Sequence, residues 1–193
     1  MRIAIIVGST RPGRKGSTVG RWVHDHALQR DDVPGKVDFD LLELEDFDLP
    51  LLDEATIPAA ADREYEVPQT RAWSERIAQY DGYVFVTPEY NHSVPAALKN
   101  AVDVLGSEWA HKAVGFVSYG ADGGVRAVEH WRGVVANLMM NDVRAQVSLL
   151  VFEDWREGEF RPLDRREDEL GTMLDQLVAL TDAVRSLRIG AAR

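Results

Sequence analysis

The sequence contains no cysteine. That excludes disulfides, thiolate metal sites and a cysteine nucleophile, and it suits a reducing compartment. No apolar run approaches the roughly 18 residues that a membrane span needs. The chain opens directly on strand-like sequence, so no secretory signal is expected and Asn91-His92-Ser93 is a glycosylation match by coincidence. Net positive charge is lacking too: 22 Lys and Arg against 32 Asp and Glu leave a formal charge of −10. That balance disfavours broad nucleic-acid binding. Common catalytic signatures are equally scarce. There is no Gly-x-Ser-x-Gly elbow. His24 and His26, two apart on an expected helix, cannot share a face, and His111 and His130 have no carboxylate at ligand spacing, so no metal site is expected. What remains is a chain of 193 residues, 45% hydrophobic and 28% charged, read as one globular domain over 1–193 of a soluble cytoplasmic protein.

Against the acidic background, one segment stands out. Residues 1 to 24 hold Arg2, Arg11, Arg14, Lys15 and Arg21 and no acidic side chain. Within them, the apolar run Ile3 to Val7 leads into Gly8-Ser9-Thr10-Arg11-Pro12-Gly13-Arg14-Lys15-Gly16 and then a helical pattern from Thr18 to Leu28. A buried strand, a glycine-rich loop and a helix start form a ready anion site: the first helical amides are unpaired and the dipole favours negative charge. Ser9, Ser17 and Thr18 add hydroxyl donors. A triphosphate-binding loop needs Lys directly after its second glycine, and here Arg14 follows Gly13. The dinucleotide fingerprint fails as well, because position 10 is Thr. Hydroxyls plus arginine suit a terminal phosphomonoester, the alternative being a βα turn whose cations face water.

The rest of the chain alternates strand and helix. Asp31 to Gly35 reads as a turn, Lys36 to Leu44 as a half-buried strand, and Glu45 to Glu66 as a long loop, either functional or partner-covering or else disordered. Pro68 to Tyr80 is helical, Tyr83 to Val86 a buried strand, Ala96 to Leu105 a helix and Ala113 to Val117 another buried strand. Val125 to Met140 is a helix, Asn141-Asp142 a turn, Val143 to Phe152 the last strand, Asp154 to Arg161 a polar surface excursion and Leu163 to Leu187 an amphipathic helix. Five strands, each followed by a helical crossover, predict a parallel α/β sheet covered on both faces, with right-handed connections. The turns after strands one, three and four then meet at one sheet edge, where such folds bind ligands.

The second of these turns, Pro88 to Pro95, sets Tyr90, Asn91 and Ser93 between prolines and offers stacking area and hydrogen bonds to a flat polar heterocycle, or else local packing of Tyr90. The third, Ser118-Tyr119-Gly120 with Gly123-Gly124, permits close backbone approach ahead of a helix. Lys99 and Arg126 are open between ligand and solvated charge, and Trp109 between a dimer contact and simple packing.

The segments GSTRPGRKGSTVGRWV, VFVTPEYNHSVPAALKNAVD and KAVGFVSYGADGGVRAVEHWR, in that order from residue 1 to about residue 140, resemble the NADPH-dependent FMN reductase family of flavodoxin-like proteins. The resemblance implies a three-layer sandwich with a five-stranded parallel sheet of order 2-1-3-4-5, non-covalent FMN, and homodimers or homotetramers. Carried onto this sequence, it places Ser9, Arg11, Ser17, Thr18 and Val19 around the FMN phosphate. It places Pro88, Glu89, Tyr90 and Asn91 along the ring and ribityl chain, and Ser118, Tyr119 and Gly120 on the other side. His92 receives no catalytic role. The implied activity is ping-pong: hydride from NADPH or NADH to flavin N5, then onward to a quinone or similar small acceptor, with the flavin rather than an acid–base triad carrying the chemistry. Two alternatives remain, a reductase that releases reduced FMN to a partner monooxygenase and a non-enzymatic electron carrier.

Overall fold

The computed structural model describes residues 1–31 and 36–190. The expected turn after the first helix lies largely at 32–35, outside the described residues. The first strand, β1 (Arg2–Val7), is apolar at nearly every position because it is central and covered twice. Ala4 and Ile6 point into one hydrophobic cluster and Ile3 and Ile5 into the other. β2 (Asp38–Glu43), β3 (Gly82–Pro88), β4 (Ala113–Gly120) and β5 (Asn141–Leu150) complete a parallel sheet of order β2-β1-β3-β4-β5, as expected.

Two layers of helix cover it. α1 (Gly16–Leu28) and α5 (Arg165–Gly190) bury Val19, Val23 and Ala27, and Leu170, Leu174 and Leu177, against one face. α2 (Pro68–Ala78), α3 (Ala96–Asp103) and α4 (Val125–Asn137) cover the other. There an aromatic cluster of Trp73, Tyr83, Phe85, Trp109, Phe116 and Trp131 meets mostly edge to face. Each indole N–H of this cluster finds an acceptor: Trp73 on Ala101 O, Trp109 on Val102 O, Trp131 on Thr87 Oγ1. Trp109 is therefore core packing.

Three expectations need correction. Asn141 and Asp142 are not a turn but the first pairs of β5, opposite Ala113 and Val114. The reversal comes earlier, at Met139 with φ 56°, and Met139 O accepts the His111 N–H. The segment after Phe152 is only in part the surface excursion that its polar composition suggests: Arg156 to Glu159 and Arg161 are exposed, but Asp154 and Trp155 are buried. It forms a hairpin of β6 (Trp155–Arg156) and β7 (Glu159–Phe160) in which Asp154 is fully buried. Asp154 Oδ2 accepts the Leu150 N–H and Oδ1 the Leu163 N–H, while Arg166 pairs with both oxygens. A buried carboxylate is tolerated when it is paired and fully hydrogen-bonded. Finally, β3 and β4 run on to Pro88 and Gly120, so residues expected in loops are strand ends.

The long connection after β2 is ordered by short 3-10 turns at Leu44–Phe47 and Pro58–Ala60. Asn100 on α3 grips it by accepting the Leu52 N–H and donating to Pro50 O. Buried Glu108 accepts from Tyr65 Oη, Ser74 Oγ and the Gly106 N–H, tying the connection to α2 and to the approach to β4.

Candidate functional site

The carboxyl ends of β1, β3 and β4 are adjacent, and the expected turns meet there. The Gly8 N–H donates to Val86 O at 2.9 Å, and the Glu89 N–H donates to Tyr119 O at 3.0 Å. Ser9 is buried, and its Oγ shares a 2.9 Å hydrogen bond with Tyr90 Oη, joining the first turn to the second. Glu89 closes the other seam. Its carboxylate accepts the Arg126 N–H at 3.1 Å and Arg126 Nε at 2.7 Å, locking the second turn to the start of α4. Arg126 thus braces the second turn against α4, and Lys99 pairs with Asp103 one turn along α3.

Four features leave this rim ready for an anion. The N–H groups of Gly16, Ser17 and Thr18, the first turn of α1, have no acceptor among the described residues. Arg11 is exposed, and its guanidinium has no partner among them. Tyr119 Oη is buried with no hydrogen-bond partner. Burial, followed by neighbouring Tyr90, pushes the Tyr119 phenol well above its ordinary range, with nearby Ser9, Arg11 and Arg14 opposing the shift. Gly16 brings these parts together: a Cβ there would lie 2.9 Å from Tyr119 Oη and 3.0 Å from Val7 Cγ1, so a side chain is excluded between helix start and phenol.

The remaining sequence-predicted residues are placed as follows. Ser17 Oγ donates to Glu43 Oε2 at 3.2 Å, and Thr18 is exposed, its Oγ1 accepting from Arg21. Val19 is core, and its N–H is spent on Lys15 O. Pro88 ends β3 opposite Tyr119, and Tyr90 and Ser93 form a two-way bridge around Asn91 and His92, both at positive φ. Ser118 Oγ donates to Gly123 O at 2.6 Å and shapes the third turn, while Gly124, at φ 74°, would set a Cβ 2.9 Å from Ser118 Cβ. Ser93 Oγ also hydrogen-bonds His130 Nδ1 at 2.9 Å.

Sequence reasoning missed Glu43, Glu45 and Trp155. Glu43 and Glu45 both pair with Arg14, and Lys15 Nζ lies 4.8 Å from the Trp155 ring centre. The one available signal was topological: an order of 2-1-3 brings the end of β2 beside the loop after β1. On the far side of Thr10, a groove of about 330 Å³ is floored by Leu44, Leu49, Ala96 and Ala97 and rimmed by Glu45 and Asp48.

Taken together, three amides and one cation unpaired among the described residues fit the phosphate of FMN, and the orphaned phenol beside them offers a further donor to the same ligand. Comparison with known proteins agrees. The family model for NADPH-dependent FMN reductase matches residues 1–153. An NAD(P)H-dependent FMN reductase of Nectria sp is 43% identical over 130 residues, which are 65% of this chain and 63% of that protein. The chain thus spans a little under two thirds of that relative. The Saccharomyces cerevisiae NAD(P)H-dependent FMN reductase LOT6 is 36% identical over 146 residues, 73% of this chain and 76% of that one. A Pseudomonas putida quinone reductase is 37% identical over 134 residues, 65% and 64% of the two chains. Among solved structures, the flavoenzyme FerB of Paracoccus denitrificans superposes with a TM-score of 0.69 at 20% identity, covering 94% of this chain and 97% of that one. Fold, rim and kinship converge: the chain belongs to the NADPH-dependent FMN reductase family.

Proposed function

We propose that this protein is an NAD(P)H-dependent FMN oxidoreductase that delivers electrons to quinones or similar small acceptors. The observation that carries the reading is the set of unsatisfied donors at one rim: the α1 amides, Arg11 and Tyr119 Oη. When bound, FMN supplies hydride acceptance and release, so the protein's share is binding, orientation and electrostatics. Arg11 and the amides of residues 16–18 hold the phosphate, with Ser9 and the Thr18 hydroxyl beside them. Tyr90, Asn91 and the strand ends Pro88 and Glu89 border the ring and ribityl chain on one side. Ser118, Tyr119 and Gly120 border them on the other. Tyr90, 38% exposed, stands at the open side where a nicotinamide or an acceptor arrives. The apolar floor of the groove beyond Thr10 suits a flat, uncharged acceptor.

The same reading takes donor and acceptor as alternating at one open face, a ping-pong order, in a single-domain cytoplasmic homodimer or homotetramer. Exposed Leu51, Leu52 and Ile57 on the connection after β2 supply apolar surface for such an assembly. The test is optical. The purified protein carries, or takes up from solution, an oxidised flavin chromophore that NADPH or NADH bleaches without air and a quinone restores. A protein that neither binds added FMN nor oxidises a nicotinamide overturns the reading. Loss of the flavin at each turnover would mark a supplier of reduced FMN, and indifference to both nicotinamides an electron carrier.

A further inference from the structure

Of the three cations in the loop after β1, two are already engaged. Lys15 lies over Trp155, and Arg14 is held by two glutamates. Glu43 is the last residue of β2, paired in register with Val7 immediately before the loop begins. One of its oxygens, Oε2, gathers three donors: Arg14 Nε at 3.3 Å, Arg14 Nη2 at 3.1 Å and Ser17 Oγ at 3.2 Å. Both ends of the ion pair are largely shielded, at 14% and 21% side-chain exposure, so it is not an ordinary surface pair. A carboxylate next to a phosphate site is costly by simple Coulomb repulsion. Here it also binds the end of the loop, through Arg14, and the first turn of α1, through Ser17, to a rigid strand.

We propose that Glu43 is a positioning residue for the cofactor phosphate. It clamps Arg14 and Ser17 so that the loop presents the α1 amides and Arg11 in the binding geometry before the ligand arrives. The proposal rests on the FMN reading above and adds a division of labour to it: Arg11 supplies the charge, and Arg14 supplies the shape. Preorganisation improves affinity by removing the cost of ordering the loop on binding. Clamp and repulsion predict opposite signs for removal of the carboxylate.

The test compares FMN with riboflavin, which lacks the phosphate, by flavin-fluorescence titration of the full apo chain. With the clamp, E43Q weakens FMN about tenfold, the equivalent of some 1.4 kcal/mol, and leaves riboflavin within about twofold. E43D keeps the charge but withdraws it from Arg14 and Ser17, and it too weakens FMN relative to riboflavin. Should E43Q fail to fold, E43D carries the test alone. Three results overturn the proposal: tighter FMN binding by E43Q, equal losses for FMN and riboflavin, or no change in either variant. If the wild-type chain binds no FMN at all, it is the underlying functional reading that falls.

Discussion

Replacing Tyr119 by Phe should move apo stability and cofactor affinity in opposite directions. The residue is only 6% exposed, and its hydroxyl oxygen has no hydrogen-bond partner among the described residues. Burying an unpaired hydroxyl costs about 1–3 kcal/mol. The Phe ring keeps the contact with Trp155, whose centroid lies 6.2 Å away, and leaves a void no larger than one oxygen. Tyr119→Phe therefore stabilises the apo-protein by up to that amount, read as a higher urea midpoint at unchanged slope. With cofactor the balance reverses. A neutral hydrogen bond contributes about 0.5–1.5 kcal/mol, so the dissociation constant for FMN rises roughly two- to tenfold. Urea melts of apo-protein and a fluorescence titration with FMN measure the two effects side by side. An apo variant less stable than wild type, or one with undiminished FMN affinity, would refute the idea that this phenol is held open for a ligand.

Two further predictions are independent of it. Arg11→Ala removes the cation left unpaired in the loop and should weaken FMN by about 1.5–3 kcal/mol, the scale of a charged hydrogen bond, with riboflavin little affected; equal affinities for FMN would remove Arg11 from the site. Lys112→Met tests a buried base at the opposite end of the sheet, where Nζ donates to Ile77 O and lies 2.9 Å from Tyr83 Oη. Burial, then Arg188 and Arg63, pushes the Lys112 ammonium down from 10.5 to about 7. Between these values the unfolded chain binds more protons than the folded one, so wild-type stability rises with pH across that window and falls on descending it, by up to about 1.4 kcal/mol per pH unit. The Met variant, in which Tyr83 Oη still donates to Ile77 O, should lose that slope in urea melts from about pH 7 to about pH 9.5; an unchanged slope would clear Lys112 of the effect.

The alternation of strand and helix and the meeting of three turns were legible in the sequence because they depend on local signals, whereas the sheet order came only with the family resemblance. Ile3 to Val7, Tyr83 to Val86 and Ala113 to Val117 are continuous apolar runs, and each ends in small or polar residues. Pairings across the fold were not legible. Glu43 reads as one more acid in an alternating strand until Val7 is set beside it, and nothing in the order of residues shows that Glu89 also binds Arg126 at the next helix start. Composition also misled at Asp154 to Arg161, where a polar string hides a fully buried carboxylate. Charge predicts exposure only when no partner is near, and Arg166, 12 positions on, cannot be assigned as that partner from spacing alone. Ser17 and Thr18 were recognised as hydroxyls at a helix start, but their present partners, Glu43 and Arg21, follow from geometry.

The tail that begins at Asp154 has a bearing on how this protein tolerates rearrangement. The stretch shared with the family model stops at residue 153, yet the Leu150 N–H finds its acceptor one residue past that limit, on Asp154. Trp155 reaches back to Lys15 and Tyr119. A chimaera spliced at 153 would inherit the loops after β1, β3 and β4 without the Trp155 that now packs against Lys15 and Tyr119. Exchange of this terminus between homologues should therefore carry positions 15 and 119 with it.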